Sequence, residues 1–432
     1  MNSPDHLLRH SILLMAASQV VNISSVFFHM VMGRWLSPAE YGVLSSMLGV
    51  VMIAGMPLGA LGTVLTFFTA QLLQQNRAGD IFPLMRSWAL KLLVVFIPLL
   101  VVGILFSQPL ADFFNLPDRS ALFMALVILA MSFFSPVVGA PLGGIQAFGW
   151  GSVSGMSWGV VRLVIGGALV YFIAASAKWA LVGQGVGMLV GTGIAMAGLW
   201  IILRRTLPTD QALPSTHAYL WRTIVVMASF SFLMSADMLI VKHYFSPDQS
   251  GFYARAATIG RMIVFLPMPI AGALFPKTVS NGATSAQHNK LLWKALFYTA
   301  IIIVPGALVC ALFPQLPLGV LYHDWQPDAA MCRLLRCTIW AMSPLGLAFI
   351  IMNFELSQNR FRMTMPLILC VVGYLAGVSI WHATVLQIVA VLATISVLAL
   401  LALVKCLPWQ PMQPSAEGKS AYGGKQPKCT WP

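Results

Sequence analysis

What this chain has least of is charge. Only 9% of its 432 residues are Asp, Glu, Lys or Arg, and 12 of them are acidic, whereas an ordinary soluble domain is about 25% charged. That shortage excludes a water-soluble globular protein. Cysteine is scarce as well. The six cysteines (Cys310, Cys332, Cys337, Cys370, Cys406 and Cys429) show no paired spacing that would suggest a disulfide framework. His323-Asp324 with Cys332 and Cys337 beyond lacks metal-ligand spacing, so no metal site is expected. No Gly-x-Gly-x-x-Gly follows a strand; Gly183, Gly187 and Gly191 read instead as a close-packing helix face. Gly418-Lys419-Ser420 has Gln413 where a phosphate-binding loop needs its first glycine. No Ser/His/Asp grouping or carboxylate pair falls at a common depth, and no large loop is present to build an active site, so an enzyme is not expected.

Hydrophobic residues are abundant: 59% of the chain, with a mean hydropathy of +0.84. Apolar runs of about 20 residues, the length that spans a bilayer, occur near 11–33, 38–70, 88–108, 120–143, 151–174 and 179–203, then near 223–243, 247–275, 295–313, 333–356, 363–382 and 384–404. The expected fold is therefore all-α, a polytopic integral membrane protein with about 12 transmembrane helices. The first run reads as a span rather than a cleaved signal peptide, because it passes into Ser37 without a small-residue cleavage site. The expected organisation is an N-terminus at 1–10, a six-helix bundle at 11–203, a linker at 204–222, a second six-helix bundle at 223–404 and a disordered Pro-, Gly- and Lys-rich tail at 405–432.

The division into halves rests on a repeat. Ser37-Pro38-Ala39-Glu40-Tyr41-Gly42 has a twin 209 positions later, Ser246-Pro247-Asp248-Gln249-Ser250-Gly251. Each reads as a helix start, with Ser at the N-cap, Pro at the first helical position, and Glu40 or Gln249 placed as in a capping box. Three further pairs keep nearly the same offset: Pro109-Leu110 with Pro317-Leu318, Pro117-Asp118 with Pro327-Asp328, and Ser135-Pro136 with Ser343-Pro344. Four collinear anchors favour duplication of a half-chain unit. Six spans per half make the halves parallel repeats.

Orientation follows from the basic residues. With the N-terminus inside, sixteen Lys and Arg fall on the inner side, seven on the outer side, and Arg162 and Arg261 within spans. Both termini are therefore expected in the cytoplasm. The net charge of +13 is mostly this bias and does not point to nucleic acid.

A few polar residues stand out in the spans. Gln19, Asn22, Ser25 and His29 share one stripe of the first span, as interhelical hydrogen-bonding glue or as a polar cavity wall. Arg162 lies about eleven residues into the fifth span, ~16 Å at 1.5 Å per residue, near the midplane. Arg255, Thr258 and Arg261 step by three along the eighth span. Asp237 can neutralise one arginine at most. Glu355 closes the tenth span at the inner face, where a solvated helix end is the plainer reading. Two midplane arginines with few acids beside them suit an anionic cargo, since guanidinium forks match phosphate oxygens. The competing reading is one structural Asp237–Arg pair, with the other arginine reaching for the interface.

These residues carry a resemblance. Arg34-Trp35-Leu36-Ser37-Pro38-x-x-Tyr41-Gly42, the Asp237 span with Phe245-Ser246-Pro247-x-x-x-Gly251-Phe252-Tyr253-Ala254, and Leu274-Phe275-Pro276 resemble bacterial polysaccharide transporters. These are the O-antigen and lipid-linked oligosaccharide flippases of the multidrug/oligosaccharidyl-lipid/polysaccharide (MOP) exporter superfamily. The resemblance implies two six-helix bundles in a MATE-like V, in a bacterial inner membrane. It implies movement of undecaprenyl-pyrophosphate-linked oligosaccharide from the cytoplasmic to the periplasmic leaflet, for O-antigen, capsule or exopolysaccharide. Arg162, Arg255 and Arg261 would then hold the pyrophosphate. No cofactor is implied; proton or sodium coupling through Asp237 or Glu355 stays open. Partners would be the lipid-linked oligosaccharide, membrane lipids, and polysaccharide polymerase or glycosyltransferase enzymes. The alternatives are a multidrug or cation antiporter of the same superfamily, which would want free acids in its cavity, and a membrane-embedded polymerase or ligase, which would want a large outer loop. A major-facilitator carrier shares the parallel repeat but needs a Gly-x-x-x-Asp-Arg-x-Gly type loop that is missing between spans two and three.

Overall fold

A computed structural model describes residues 4–117, 119–209, 217–267, 285–358 and 360–407. Within them the chain is helical throughout, with no strand. This is the economy a bilayer enforces, because a helix satisfies its backbone donors and acceptors internally. The first half contains α1 (Pro4–Trp35), α2 (Pro38–Gln74), α3 (Ile81–Leu105), a short α4 (Ser107–Phe113), α5 (Ser120–Gly144), α6 (Phe148–Phe172) and α7 (Ala177–Leu203). The second contains α8 (His217–Tyr244), α9 (Pro247–Phe265), α10 (Ser285–Leu312), a short α11 (Gln315–Tyr322), α12 (Ala329–Ser357), α13 (Thr364–Ile380) and α14 (Val385–Cys406). Each of the twelve apolar runs coincides with a helix over its described residues; the run at 247–275 is helical to Phe265, and 268–275 lie outside the described residues. Eight are long and apolar enough to cross a membrane by themselves, and α2 joins them as a bent pair, Pro38–Ile53 and Pro57–Gln74, meeting at 42°. The bend falls at Pro57, which lacks the N–H its helix needs.

The two halves repeat element by element. The anchor Pro109-Leu110 lies in α4 and its partner Pro317-Leu318 in α11. Ser135-Pro136 and Ser343-Pro344 lie inside α5 and α12, not in loops. The repeated caps are also formed: Ser37 Oγ accepts the Glu40 N–H at 3.2 Å, and Ser246 Oγ accepts the Gln249 N–H at 3.4 Å. The capping box is only half made at the first. The Glu40 carboxylate turns away and accepts the Ala177 N–H at 2.5 Å, which caps α7 instead of α2.

In the first bundle α6 packs on α7 and α1, and α2 on α5; in the second α12 packs on α14, α9 and α10. The glycine face of α7 makes its contact possible: a Cβ on Gly183 would lie 2.3 Å from Gly166 Cα, and one on Gly187 2.8 Å from Trp158 O. Across the halves α2 lies against α8 and α9. Ser231 Oγ donates to Met52 O at 2.8 Å.

The twin turns meet each other. A Cβ on Gly251 would sit 1.8 Å from Pro38 O, and one on Gly42 3.0 Å from Gly251 N. Two reciprocal contacts flank this seam. The end of α4 reaches the end of α8, where Asn115 Nδ2 donates to Lys242 O (3.1 Å) and His243 O (3.0 Å) and the Phe113 ring stacks on His243. The end of α11 reaches the end of α1, where Arg34 donates to Val320 O at 2.5 Å and Tyr322 packs on Gly33. The two bundles are thus closed against each other at the end that holds the twin turns.

At the opposite end the start of the linker is pinned to the first bundle. Buried Asp80 accepts from the Thr209 N–H (2.6 Å), the Thr209 hydroxyl and Arg77 Nε (2.7 Å). The basic stretch 71–91 forms no separate surface helix; it is shared among α2, a 3-10 turn at Ala78–Asp80 and α3. Leu274-Phe275-Pro276, residues 210–216 of the linker and the tail beyond Leu407 lie outside the described residues; the last stretch of the expected linker, 217–222, already belongs to α8.

Candidate functional site

The polar stripe of α1 divides. Gln19 and Asn22 are exposed, whereas Ser25 and His29 are drawn into two bonded groups. Ser25 meets Arg162 of α6, and the stripe's spacing is what brings Ser25 and His29 to one side, one turn apart.

Arg162 is 6% exposed. Its guanidinium lies between two ring faces, Phe28 of α1 and Trp158 of α6, each with its centroid 4.7 Å away. Nη1 donates to Gln184 Oε1 of α7 at 3.1 Å and Nη2 to Ser25 Oγ at 2.7 Å, while Nε has no partner. All of these partners are neutral. Among the described residues no carboxylate comes within ion-pair distance of Arg162. Its positive charge is held and oriented but not cancelled.

Next along α1, His29 Nδ1 lies 3.0 Å from the Tyr41 hydroxyl of α2. Tyr41 donates to Thr258 Oγ1 of α9 at 3.1 Å and lies 3.1 Å from the Tyr322 hydroxyl of α11. Thr258 gives its own proton to Ala254 O at 2.7 Å. With both hydroxyl protons committed, His29 donates from Nδ1, which leaves Nε2 as the basic nitrogen. The cluster joins α1 and α2 of one bundle to α9 and α11 of the other.

One turn beyond Thr258, Arg261 meets Asp237. Nη2 donates to Asp237 Oδ1 at 2.5 Å, and Nε to Met234 O at 3.0 Å. Tyr253 donates to Asp237 Oδ2 at 2.6 Å. Asp237 is fully buried and the Arg261 side chain 11% exposed. Of the two midplane arginines, Arg261 is therefore the one neutralised. Arg255 is half-buried, with the Tyr322 and Phe252 ring centroids 5.2 and 5.9 Å from its guanidinium carbon, and its Nε has no partner.

Glu355 departs from the solvated helix end. It is fully buried, and neither carboxylate oxygen has a hydrogen-bond partner; the Arg360 guanidinium approaches only to 3.8 Å. It stands apart from the strip formed by Arg162, His29 and Arg261. A buried carboxylate without donors is costly when ionised, and a proton or cation would relieve it.

The sequence alone did not single out Tyr41, Tyr322, Gln184, Trp158 or Phe28. Tyr41 had a signal, its place inside the repeated turn. The others sit on helices whose contact only packing reveals.

No family model matches the sequence, and no curated protein is significantly similar to it. Solved structures do match. An inward-facing multidrug resistance MATE family transporter of the MOP superfamily superposes with a TM-score of 0.67 at 14% identity, over 92% of this chain and 97% of the other. The lipid II flippase MurJ in an inward closed conformation gives 0.64 at 12% identity, over 91% and 87%. An outward-facing MATE family transporter of the MOP superfamily gives 0.61 at 14% identity, over 92% and 95%. The chain thus shares the MATE-like fold of these transporters along nearly its whole length.

Proposed function

We propose that this protein is a flippase for an anionic, lipid-linked oligosaccharide of the undecaprenyl-pyrophosphate kind, carried by alternating access between the two bundles. The observation that carries the reading is Arg162, a guanidinium buried near the centre of a span and fixed by neutral groups alone. A membrane charges about 2.5–3.5 kcal/mol or more for such a cation, and an anionic cargo is what would repay it. Arg255 is the second candidate contact. Arg261, already paired, serves better to orient α8 and α9 than to bind phosphate. Gln19 and Asn22, exposed on the same stripe, suit sugar hydroxyls.

The fold supports transport in general terms, and the lipid II flippase among its neighbours supports a lipid-linked cargo. A cation or multidrug antiporter fits less well, because the acid nearest the strip, Asp237, is already bound to Arg261 and Tyr253. Export of one net negative charge across an inside-negative membrane releases about 2.3 kcal/mol per 100 mV. Glu355, buried without donors, is the better candidate for proton or sodium coupling, and Asp237 the lesser one. The setting we infer is a bacterial inner membrane, both termini cytoplasmic, alongside the glycosyltransferases and polymerase that make and use the cargo.

The test is flipping of a fluorescently labelled lipid-pyrophosphate oligosaccharide in proteoliposomes. Wild type should expose it to the opposite leaflet and Arg162→Met should not, although both proteins insert and remain monodisperse. Equal flipping by both, or export of organic cations without any lipid flipping, would overturn the reading.

A further inference from the structure

Between the two midplane arginines stands His29. It is half-buried, and its ring lies edge-on to Phe28 with the centroids 5.6 Å apart. The same Phe28 ring faces the Arg162 guanidinium at 4.7 Å. Ser25, one turn back along α1, accepts from Arg162 Nη2 at 2.7 Å. His29 is therefore a neighbour of the anion site proposed at Arg162 as well as a member of the seam.

Its two nitrogens have different duties. Nδ1 donates to the Tyr41 hydroxyl at 3.0 Å. Tyr41 continues the chain to Thr258 at 3.1 Å and meets Tyr322 at 3.1 Å, whose hydroxyl reaches Arg255 O at 3.3 Å. Nε2 is neither hydrogen-bonded nor sealed from solvent among the described residues. A proton can therefore arrive at Nε2 without breaking any bond of the inter-bundle chain, because an imidazolium still donates from Nδ1.

The surroundings decide when it arrives. The helices packed on α1 are α6, α11, α2 and α9. Of these, α6 brings Arg162, α2 brings Tyr41, and α11 brings Tyr322. From α9 come Thr258, Arg255 and Arg261, the last bound to Asp237 of α8. The charges that act on the ring are those of Arg162 and Arg261, both positive. A third cation beside two others is unfavourable, and an anion placed among them reverses that balance. We propose that His29 takes up a proton at Nε2 when the anionic cargo settles against Arg162, so that the cargo binds together with one proton drawn from water. The proposal rests on the anion site at Arg162 and adds a conditional charge to it. A pyrophosphate diester, which carries two negative charges, then meets two positive ones, Arg162 and the His29 imidazolium. This uptake is a separate event from any ion coupling at Glu355.

The test is the proton count of binding. Farnesyl-pyrophosphoryl-N-acetylglucosamine, whose phosphates stay ionised around neutral pH, is titrated calorimetrically into the full-length protein in detergent. Two buffers of different ionisation enthalpy give the protons exchanged. The expected result is uptake of about one proton per bound lipid, with an affinity that falls by up to about tenfold per unit as pH rises, since the bound state holds the extra proton. His29→Asn, whose amide keeps a donor for Tyr41, should bind more weakly, without proton uptake and with little pH dependence. His29→Gln should do the same, and Glu355→Gln should keep the uptake. A histidine that only held the seam together would leave the proton count unmoved when replaced. Binding by wild type without proton uptake, or uptake that survives in both His29 variants, overturns this proposal and leaves the anion site at Arg162 standing. Binding that is undiminished in Arg162→Met, or no binding by wild type, overturns that site and this proposal with it.

Discussion

Residues 28 and 237 occupy the same place in the two halves, 209 positions apart, and each faces an arginine, Arg162 of α6 in the first and Arg261 of α9 in the second. In the second bundle the residue is Asp237, which binds Arg261 at 2.5 Å and cancels its charge. In the first it is Phe28, whose ring lies 4.7 Å from the Arg162 guanidinium and leaves the charge intact. A ring face attracts a cation by about 0.5–2 kcal/mol without neutralising it. One repeated position thus meets two guanidinium groups, brought by helices that are not counterparts, with opposite electrostatic outcomes. The second bundle's arginine is paired, and the first bundle's is the one we propose for an anion.

The sharpest way to break this comparison is to give the first bundle the second bundle's solution. Gln184→Glu changes almost no volume and puts a carboxylate where Nη1 of Arg162 already donates at 3.1 Å. The fold should persist, since a neutral acceptor becomes a charged one. Flipping of a pyrophosphate-linked lipid should fall by about tenfold or more, the size of one charge-assisted contact. Unchanged flipping in the proteoliposome assay would mean that Arg162 is structural after all.

The reverse experiment removes the second bundle's carboxylate. Asp237→Ala leaves Arg261 without its counter-charge, and breaking a buried pair from one side costs about 3–5 kcal/mol. Asp237→Leu with Arg261→Met should recover most of that loss, because a buried pair replaced by apolar groups is often neutral. Thermal unfolding of the three proteins checks this. A double variant no better than the single one would mean that Tyr253 and Met234, the other partners of the pair, matter more than its charge.

The twin glycines give a smaller asymmetry. A Cβ on Gly251 would lie 1.8 Å from Pro38 O and 2.2 Å from Pro38 C, whereas one on Gly42 stops at 3.0 Å from Gly251 N. Backbone cannot step aside as a flexible side chain can, so Gly251→Ala must part the seam, at about 1–3 kcal/mol. Gly42→Ala should cost visibly less. Unfolding temperatures compare the two, and accessibility of a cysteine at Ala39 to a water-soluble maleimide reports whether the seam has opened.

These residues also mark what could be read in advance. The twelve spans, the repeat and the Ser37 and Ser246 caps depend on hydropathy and on contacts within four residues, so the linear order carries them. Arg162 was legible as a deep cation because depth follows from position along a helix. Its cage was not, since Gln184 and Phe28 come from other helices. The chain order allowed Asp237 one arginine and left open which; packing of α8 on α9 chose Arg261. Glu355 looked like a wet helix end, but the turn after it folds back, with the Gln358 and Arg360 N–H groups both bonded to Glu355 O, and the side chain ends up buried. Glu40 misled for a similar reason. The local pattern offered it a capping box, and a helix start 137 residues away took it instead.

That last case sets the smallest test. The two Ser caps are alike, at 3.2 and 3.4 Å, so Ser37→Ala and Ser246→Ala should each cost about 1 kcal/mol. The residues three positions on are not alike. Glu40 stabilises the N-terminus of α7 through the Ala177 N–H, whereas Gln249 is exposed. Glu40→Ala should therefore lower stability by a further ~0.3–1 kcal/mol relative to Gln249→Ala, the worth of a charge at a helix N-terminus. Adding salt should leave most of that difference in place, because half-buried charges are screened less than exposed ones. Equal losses from the two alanine variants would return Glu40 to the local role its sequence suggested.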